Sequence, residues 1–148
     1  MSTSKPLFFA FIVVAFLGFL DASYLTAHHY SGVLPPCFIT QGCDVVTTSA
    51  YSTILGIPVA LLGTLYYLTV LVLGFIYIDK KKDWVILKAL PVVNTLGLLA
   101  SAWFVYAQVF IIHALCMYCL LSAASSTTLF ILMIFLRKRI LQATKNPA

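Results

Sequence analysis

The longest uncharged stretch of the chain limits its possible folds more than any other feature. No residue between Lys88 and Arg137 carries a formal charge, so 89–136 is one run of 48 apolar or neutral residues. A straight α-helix of that length would measure roughly 72 Å at 1.5 Å per residue, more than twice the hydrocarbon thickness of a bilayer. The chain must therefore turn back within the run. We place the turn at His113, a polar ring within "FIIHALCMYC", and predict helices over about 84–112 and 114–136.

The composition is that of an integral membrane protein. Apolar residues make up 62% and charged residues 9% of the 148 residues, whereas a soluble domain has roughly 25% charged residues. Such a chain could not cover a globule with polar surface. Two further apolar runs, at about 7–27 and 54–78, complete a predicted all-α bundle of four transmembrane helices, which we expect to form a single domain, 1–148.

The segment between the first two predicted helices, about 28–53, has the composition of an outer loop. It is rich in glycine, proline and hydroxyl residues. Gly42 is expected to loosen the chain just before Cys43. The later part, "VVTTSAYSTILG", is expected to form a short helix at the membrane surface, capped at Thr47, Thr48 or Ser49.

Basic residues lie at the ends of the apolar runs, all on one side of the predicted membrane. The nine are Lys5, Lys80, Lys81, Lys82, Lys88, Arg137, Lys138, Arg139 and Lys145. The outer loop and the His113 turn have none. Because Lys and Arg are retained on the cytoplasmic side, the sequence predicts a multi-pass protein of the cell (inner or cytoplasmic) membrane with both termini in the cytoplasm. The basic residues form no nucleic-acid-binding face, so the expected surroundings are a lipid bilayer and no nucleic acid.

All four cysteines fall on the predicted outer side, where disulfides can form. Cys37 and Cys43 are in the loop with C-x5-C spacing, and Cys116 and Cys119 form a C-x-x-C at the start of the last helix. Four cysteines allow three pairings, so local and crossed disulfides both remain open. The first turn of a helix favours thiolate and lowers the pKa of the leading cysteine. A structural zinc site is disfavoured by the C-x5-C spacing, whereas inert structural disulfides and a redox relay remain as alternatives.

With these residues placed, the chain resembles the vitamin K epoxide reductase family, in its bacterial and archaeal disulfide-forming branch, over about 11–136. The matching stretches are "LDASYLTAHH", which contains Asp21, "CFITQGCDVVTTSAYSTILGIPVALLG", and "HALCMYCLLSA". The DsbB-type quinone reductases also have four helices and two cysteine pairs, but their C-x-x-C comes in the first outer loop. Here the wide pair comes first.

The resemblance implies roles for single residues. Cys116 and Cys119 match the active-site pair, with Cys119 facing a quinone, and Cys37 and Cys43 match the pair that exchanges electrons with a partner. Ser49 matches a hydroxyl residue of the helix that caps the site and is expected to donate a hydrogen bond to a quinone oxygen. Vertebrate members have a tyrosine that helps to bind the naphthoquinone ring where this chain has Ala123, a departure that favours ubiquinone or menaquinone over vitamin K epoxide as the cofactor.

Two more polar residues are candidates from their chemistry alone. His113, next to the C-x-x-C, could hold or deliver a proton to the quinone, or be an interfacial turn residue. Asp21 is a carboxylate inside an apolar span and such residues usually have a function, either proton transfer or pairing with a group such as Tyr24.

The sequence thus predicts a thiol:quinone oxidoreductase. It would reoxidise a separate extracytoplasmic thioredoxin-fold (DsbA-like) protein through Cys37 and Cys43, and Cys43 would pass the electrons on by attacking Cys116. The alternative is a non-enzymatic membrane subunit with structural disulfides; a transporter is weaker, because no internal repeat is evident.

Overall fold

The computed structural model describes residues 4–39, 41–79 and 84–145, so the predicted topology residues Lys80, Lys81 and Lys82 lie outside it. The elements in chain order are α1 (Ser4–Ser31), α2 (Cys43–Thr48), a 3₁₀ turn (Ala50–Ser52), β1 (Thr53–Ile54), β2 (Ile57–Pro58), α3 (Val59–Asp79), α4 (Trp84–Tyr106), a π-helical segment (Ala107–Ile112) and α5 (Met117–Lys145). Within the described ranges, four helical segments are long and apolar enough to cross a membrane. The predicted fold class, an all-α membrane bundle of four helices, is confirmed.

The bundle is closed by small residues at the helix contacts. α1 packs against α3 and α5, and α4 packs against α5 and α3. The ring of Tyr67 on α3 lies directly against Gly18 on α1, where any Cβ would overlap the ring. Ala15 on α1 and Leu129 on α5 are completely buried in the same apolar core. Helices in lipid associate through such close packing because burial from water contributes nothing there.

Polar side chains join the helices on the side of the bundle that carries the loop. The Tyr67 hydroxyl donates a hydrogen bond to the Ser122 carbonyl at 2.7 Å. The hydroxyls of Thr26 and Thr64 lie 3.1 Å apart, and those of Ser101 and Ser126 lie 2.7 Å apart. These bonds fix the relative positions of α1, α3, α4 and α5 in the half of the bundle next to the loop.

The loop before α3 differs from the predicted structure. The short helix, α2, begins at Cys43, earlier than expected, and Ser49 follows its end in an extended conformation. An unpredicted β-hairpin then pairs Thr53 with Pro58. Its two-residue turn has positive φ, 52° at Leu55 and 81° at Gly56, which suits a tight hairpin and is incompatible with a right-handed helix. The helix expected from residue 54 therefore begins only at Val59.

The turn between the last two spans lies at His113, as predicted. His113 has a left-handed conformation, with φ 55° and ψ 31°, directly after the π-helical segment. Residues 113–116 are irregular, so α5 begins at Met117 and not at the expected residue 114. At its other end α5 continues past residue 136 to Lys145, because a helix can extend beyond the bilayer with its basic residues exposed. α1 likewise extends beyond the predicted 7–27.

Candidate functional site

The outer cysteines form a local disulfide. Cys37 and Cys43 are bonded, with their Cα atoms 6.0 Å apart. Cys43 is the first residue of α2 and is completely buried, whereas Cys37 lies in the irregular loop and is half-buried. The Tyr118 hydroxyl of α5 donates a hydrogen bond to the Pro36 carbonyl at 3.0 Å, which ties the loop to the inner cysteine pair. A thiol approaching from outside reaches Cys37 more easily than Cys43.

Gly42 has a role other than the expected loosening of the loop. Its φ is −126°, which other residues also adopt, so the position does not require glycine for its backbone. A Cβ there would lie 2.8 Å from the Leu115 N, 2.9 Å from the Leu115 O and 3.0 Å from the Ala114 Cβ. Gly42 is therefore needed for space: it lets α2 lie directly on the turn that precedes α5.

The inner cysteines are thiols at the start of α5. Cys116 occupies the N-cap position, because its carbonyl accepts the hydrogen bond from Leu120 N–H at 3.0 Å, and it is completely buried. A hydrogen bond from the Cys119 thiol, helped by the N–H groups of Cys119 and Tyr118, lowers the pKa of Cys116 to about 7 despite the opposing effects of burial and of Asp21. The direction agrees with the expectation for a cysteine at a helix N-terminus.

The two pairs meet in one buried cluster. Cys43, Val46 and Cys116 form its core, and Cys37 and Cys119 pack against them. Cys43 and Cys116 are both completely buried, so neither sulfur is exposed to solvent. Cys37 is half-buried in the irregular loop, and Cys119 lines a large cavity. The arrangement orders the four residues from the loop surface to the bundle interior.

The cavity lies between the helices beneath α2 and has a volume of about 660 Å³. This is within the range of small-molecule sites, roughly 300–1,000 Å³. Most of its lining is apolar. The polar or reactive lining residues on the long helices and the π-helical segment include Asp21, Tyr66, Tyr67, Ser101, Gln108, Cys119 and Ser122, and Ser49 lines it from the end of α2. Ala123 also lines it, and its small side chain leaves space there. Size, apolar walls and an adjacent thiol all fit the ring of a quinone.

Ser49 and His113, both predicted to interact with the quinone, lie in different positions relative to the cavity. Ser49 lines the cavity, but its hydroxyl donates to the Val46 carbonyl at 2.8 Å, so its hydrogen is already used. His113 is exposed and is not among the described residues that line the cavity. Its left-handed backbone turns the chain between the π-helical segment and α5.

Asp21 lines the cavity, and the structure shows no hydrogen bond between it and Tyr24, the partner that the sequence suggested. Its Oδ2 atom is buried and has no hydrogen-bond partner among the described residues. The ring of Tyr24 instead contacts His28, with centroids 4.4 Å apart, and Tyr118, at 5.2 Å. Asp21 is thus a half-buried residue with one buried carboxyl oxygen, and it lines the same cavity as Cys119.

Gln108 is a site residue that the sequence reasoning did not identify. It lies in the π-helical segment, is 2% exposed, and its side-chain Oε1 accepts the Cys116 N–H at 2.9 Å. Its main-chain carbonyl accepts the N–H groups of His113 and Ala114. Gln108 therefore fixes the whole turn that presents the C-x-x-C. The available signal was an amide inside a long uncharged run, eight residues before Cys116.

Comparison with curated proteins gave no match. A family model described as "Vitamin K epoxide reductase family" matches residues 9–134, which include both cysteine pairs, the capping helix α2 and nearly all of the four spans. The chain therefore belongs to the vitamin K epoxide reductase family, whose members are membrane thiol oxidoreductases.

Proposed function

We propose that this protein reoxidises an extracytoplasmic thioredoxin-fold (DsbA-like) partner and passes the electrons to a membrane quinone, which supports disulfide bond formation in other proteins. The observation that carries this proposal is the arrangement of the four cysteines from the loop to the cavity. Cys37 is accessible from the loop, Cys43 and Cys116 are buried in one cluster, and Cys119 lines the cavity. Purely structural disulfides do not require this order, and Cys116 and Cys119 are thiols here.

The first exchange takes place at the outer disulfide. A thiolate of the reduced partner attacks the Cys37 sulfur, the Cys37–Cys43 bond breaks, and Cys43 leaves as a thiolate. The partner's second thiol then displaces Cys37, so that the partner carries a new disulfide and the outer pair carries two electrons. The greater exposure of Cys37 supports attack at that sulfur, whereas Cys43 is shielded by α2 and the turn before α5.

The second exchange moves the electrons inward. The Cys43 thiolate attacks Cys116 of an oxidised inner pair, a Cys43–Cys116 bond forms, and Cys119 is released and takes up a proton. Cys37 then attacks Cys43, the outer disulfide is restored and Cys116 leaves as a thiolate. A Cys116 pKa of about 7 supports this role, because a thiol of low pKa is a good leaving group. An outer disulfide with two inner thiols is the bonding pattern that this step leaves.

The final oxidation takes place at the cavity. A quinone bound there supplies the acceptor for two electrons and two protons as Cys116 and Cys119 return to a disulfide. Cys119 lines the cavity, while Ala123 leaves room on the next turn of α5. The apolar walls exclude water and match a lipid-soluble ring, and the open space between the helices fits ubiquinone or menaquinone.

The charge distribution supports the orientation that this reaction needs. We place both ends of the chain on the cytoplasmic side of the cell membrane, because all nine Lys and Arg lie at that end of the spans. The cysteines then face an oxidising compartment, where a separate thioredoxin-fold protein can reach Cys37. A reporter enzyme that is active only outside the cytoplasm, fused after Lys145, should be inactive.

The test is quinone loss, followed optically, when the purified protein in detergent is mixed with a reduced thioredoxin-fold protein. The wild-type protein should reduce the quinone and Cys119→Ser should not. In Cys119→Ser the Cys116 thiolate can attack Cys43 of the Cys37–Cys43 disulfide and release the Cys37 thiolate, and no Cys119 thiol is present to resolve the new bond. Non-reducing gels of this variant should therefore show accumulation of the Cys43–Cys116 disulfide. No quinone loss with wild-type protein, over ubiquinone and menaquinone analogues, would contradict the proposal. Quinone reduction by Cys119→Ser would contradict the assigned terminal thiol.

A further inference from the structure

The side chain of Gln108 has one hydrogen-bonding end in use and one free. The Cys116 main chain can only donate at its N–H, so the Gln108 oxygen must face it, at 2.9 Å. This contact fixes the orientation of the amide, and the Nε2 nitrogen must point the other way. Among the residues that the structure describes, none accepts a hydrogen bond from that nitrogen, and Gln108 lines the cavity together with Cys119.

A second buried amide shows how unusual this is within the bundle. Asn94 is completely buried, and its Nδ2 donates to the Leu90 carbonyl at 2.8 Å while its Oδ1 accepts from the Tyr66 hydroxyl at 3.4 Å. Both ends of that amide are used, as is normal in an apolar interior. An unused donor on a side chain 2% exposed is unfavourable unless a ligand or water accepts from it.

Several of the hydroxyl groups that line the same cavity from α2 and the loop already donate to main-chain carbonyls. Thr47 donates to the Cys43 carbonyl at 2.6 Å, Ser49 to the Val46 carbonyl at 2.8 Å and Ser52 to the Ser49 carbonyl at 2.8 Å. The hydroxyl of Tyr67, on α3, donates to the Ser122 carbonyl of α5. These groups offer lone pairs to a ligand, whereas Gln108 offers a hydrogen.

We propose that Gln108 is the residue that positions the electron acceptor: its Nε2 donates a hydrogen bond to a ring carbonyl oxygen of the quinone, while its Oε1 holds Cys116. This inference rests on the proposed function, since a quinone is the ligand. It transfers to Gln108 the hydrogen-bonding role that the sequence suggested for Ser49. One side chain thereby links the position of the inner thiol pair to the position of the ring that receives its electrons.

The test uses protein with both pairs oxidised, which can bind a quinone but has no electrons to give it. Ubiquinone-1 with ¹³C at one ring carbonyl at a time is added, and the infrared C=O band and the dissociation constant are measured. The variant Gln108→Glu keeps an oxygen for the Cys116 N–H but has no amide hydrogen. Gln142→Glu, the same change on an exposed position near the end of α5, is the matched control.

In wild-type protein one carbonyl band should fall to a lower frequency than in micelles, because a hydrogen bond weakens the C=O bond. In Gln108→Glu that lowering should be lost and the dissociation constant should rise roughly tenfold, as for loss of one hydrogen bond beside a repelling carboxylate. Gln142→Glu should match the wild type. If the glutamate variant does not fold, Gln108→Met provides the same comparison, because methionine is similar in length and cannot donate.

A lowered carbonyl frequency that persists in the glutamate or methionine variant would overturn the role of Gln108, even if the enzyme reduces quinone normally. The role of Gln108 would also be overturned if the carbonyl band is unshifted in a wild-type protein that binds and reduces quinone. Water would then be the partner of the Gln108 Nε2. If wild-type protein binds no quinone at all, the proposed function fails together with the role of Gln108.

Discussion

Replacing Gly42 by alanine tests whether the close contact of α2 with the turn before α5 sets the rate of electron transfer between the cysteine pairs. The new Cβ would lie 2.8 Å and 2.9 Å from the N and O atoms of Leu115. Main-chain atoms cannot rotate away as a flexible side chain can. α2 must therefore move outward by roughly 0.5–1 Å to restore ordinary contact distances of about 3.5 Å.

The expected slowing of electron transfer follows from the position of Cys43, the residue directly after Gly42. Overpacking of this kind destabilises a protein by about 1–3 kcal/mol, and a misplacement of about 1 Å between reacting groups costs about 10²-fold in rate. We expect transfer from the outer to the inner pair to slow by about 10- to 100-fold. Reduction of the Cys37–Cys43 disulfide by the partner should keep its rate, because the attack takes place at Cys37, which is half-buried in the irregular loop before α2.

The assay mixes fully oxidised protein with reduced partner, stops the reaction with acid and alkylation, and measures the reduced fraction of each pair by mass spectrometry. Gly56→Ala is the control, because Gly56 also lies in the outer loop region and has φ 81° but nothing within 4 Å of its Cβ position. That variant should lose stability through backbone strain, by about 1–3 kcal/mol, without slowing the transfer. A wild-type rate in Gly42→Ala would refute the reasoning.

Three further predictions concern single residues. Mixed with the oxidised partner, Cys43→Ser should form a mixed disulfide, because its free Cys37 thiol attacks the partner's disulfide and releases the partner's second thiolate. Cys37→Ser should not, because its remaining thiol, Cys43, is buried; non-reducing gels decide, and equal trapping would contradict the assigned order. In reduced protein the Cys116 thiolate absorbance near 240 nm should increase with pH with a midpoint of about 7 and be lost as pH falls below it, because the lowered pKa favours the ionised form. A midpoint near 8.5, as in an ordinary thiol, would contradict the lowered pKa of Cys116. Asp21→Leu should raise stability in detergent by about 1–3 kcal/mol, because it removes a buried carboxyl oxygen with no partner; a lower unfolding temperature would indicate that Asp21 has a stabilising contact.

The number of spans and the family could be predicted because both depend on local sequence. Hydropathy and the long uncharged run require four crossings and a reversal near His113 whatever the packing, since the bilayer thickness sets the length of each crossing. The cysteine spacing and its order along the chain identify the family, and the matching model over residues 9–134 confirms that resemblance.

The loop was predicted less well, for two physical reasons. The apolar residues of "YSTILGIP" suit a helix or a strand equally, and the positive φ values at Leu55 and Gly56 that produce the hairpin arise from pairing of residues that are not adjacent. Gly42 was interpreted from its own flexibility, whereas its importance comes from Leu115, more than seventy positions away in the sequence.

The sequence by itself determined that this chain is a four-helix membrane protein of the vitamin K epoxide reductase family, and it favoured an outer location for both cysteine pairs, because hydropathy, charge and cysteine order need no knowledge of distant contacts. Only the tertiary structure decided the rest. It places Cys43 and Cys116 in one buried cluster, turns the Ser49 hydroxyl to its own helix, leaves His113 outside the cavity and brings Gln108 to the cavity wall. These facts depend on which surfaces of separate helices touch, and that is settled by packing between side chains far apart in the chain.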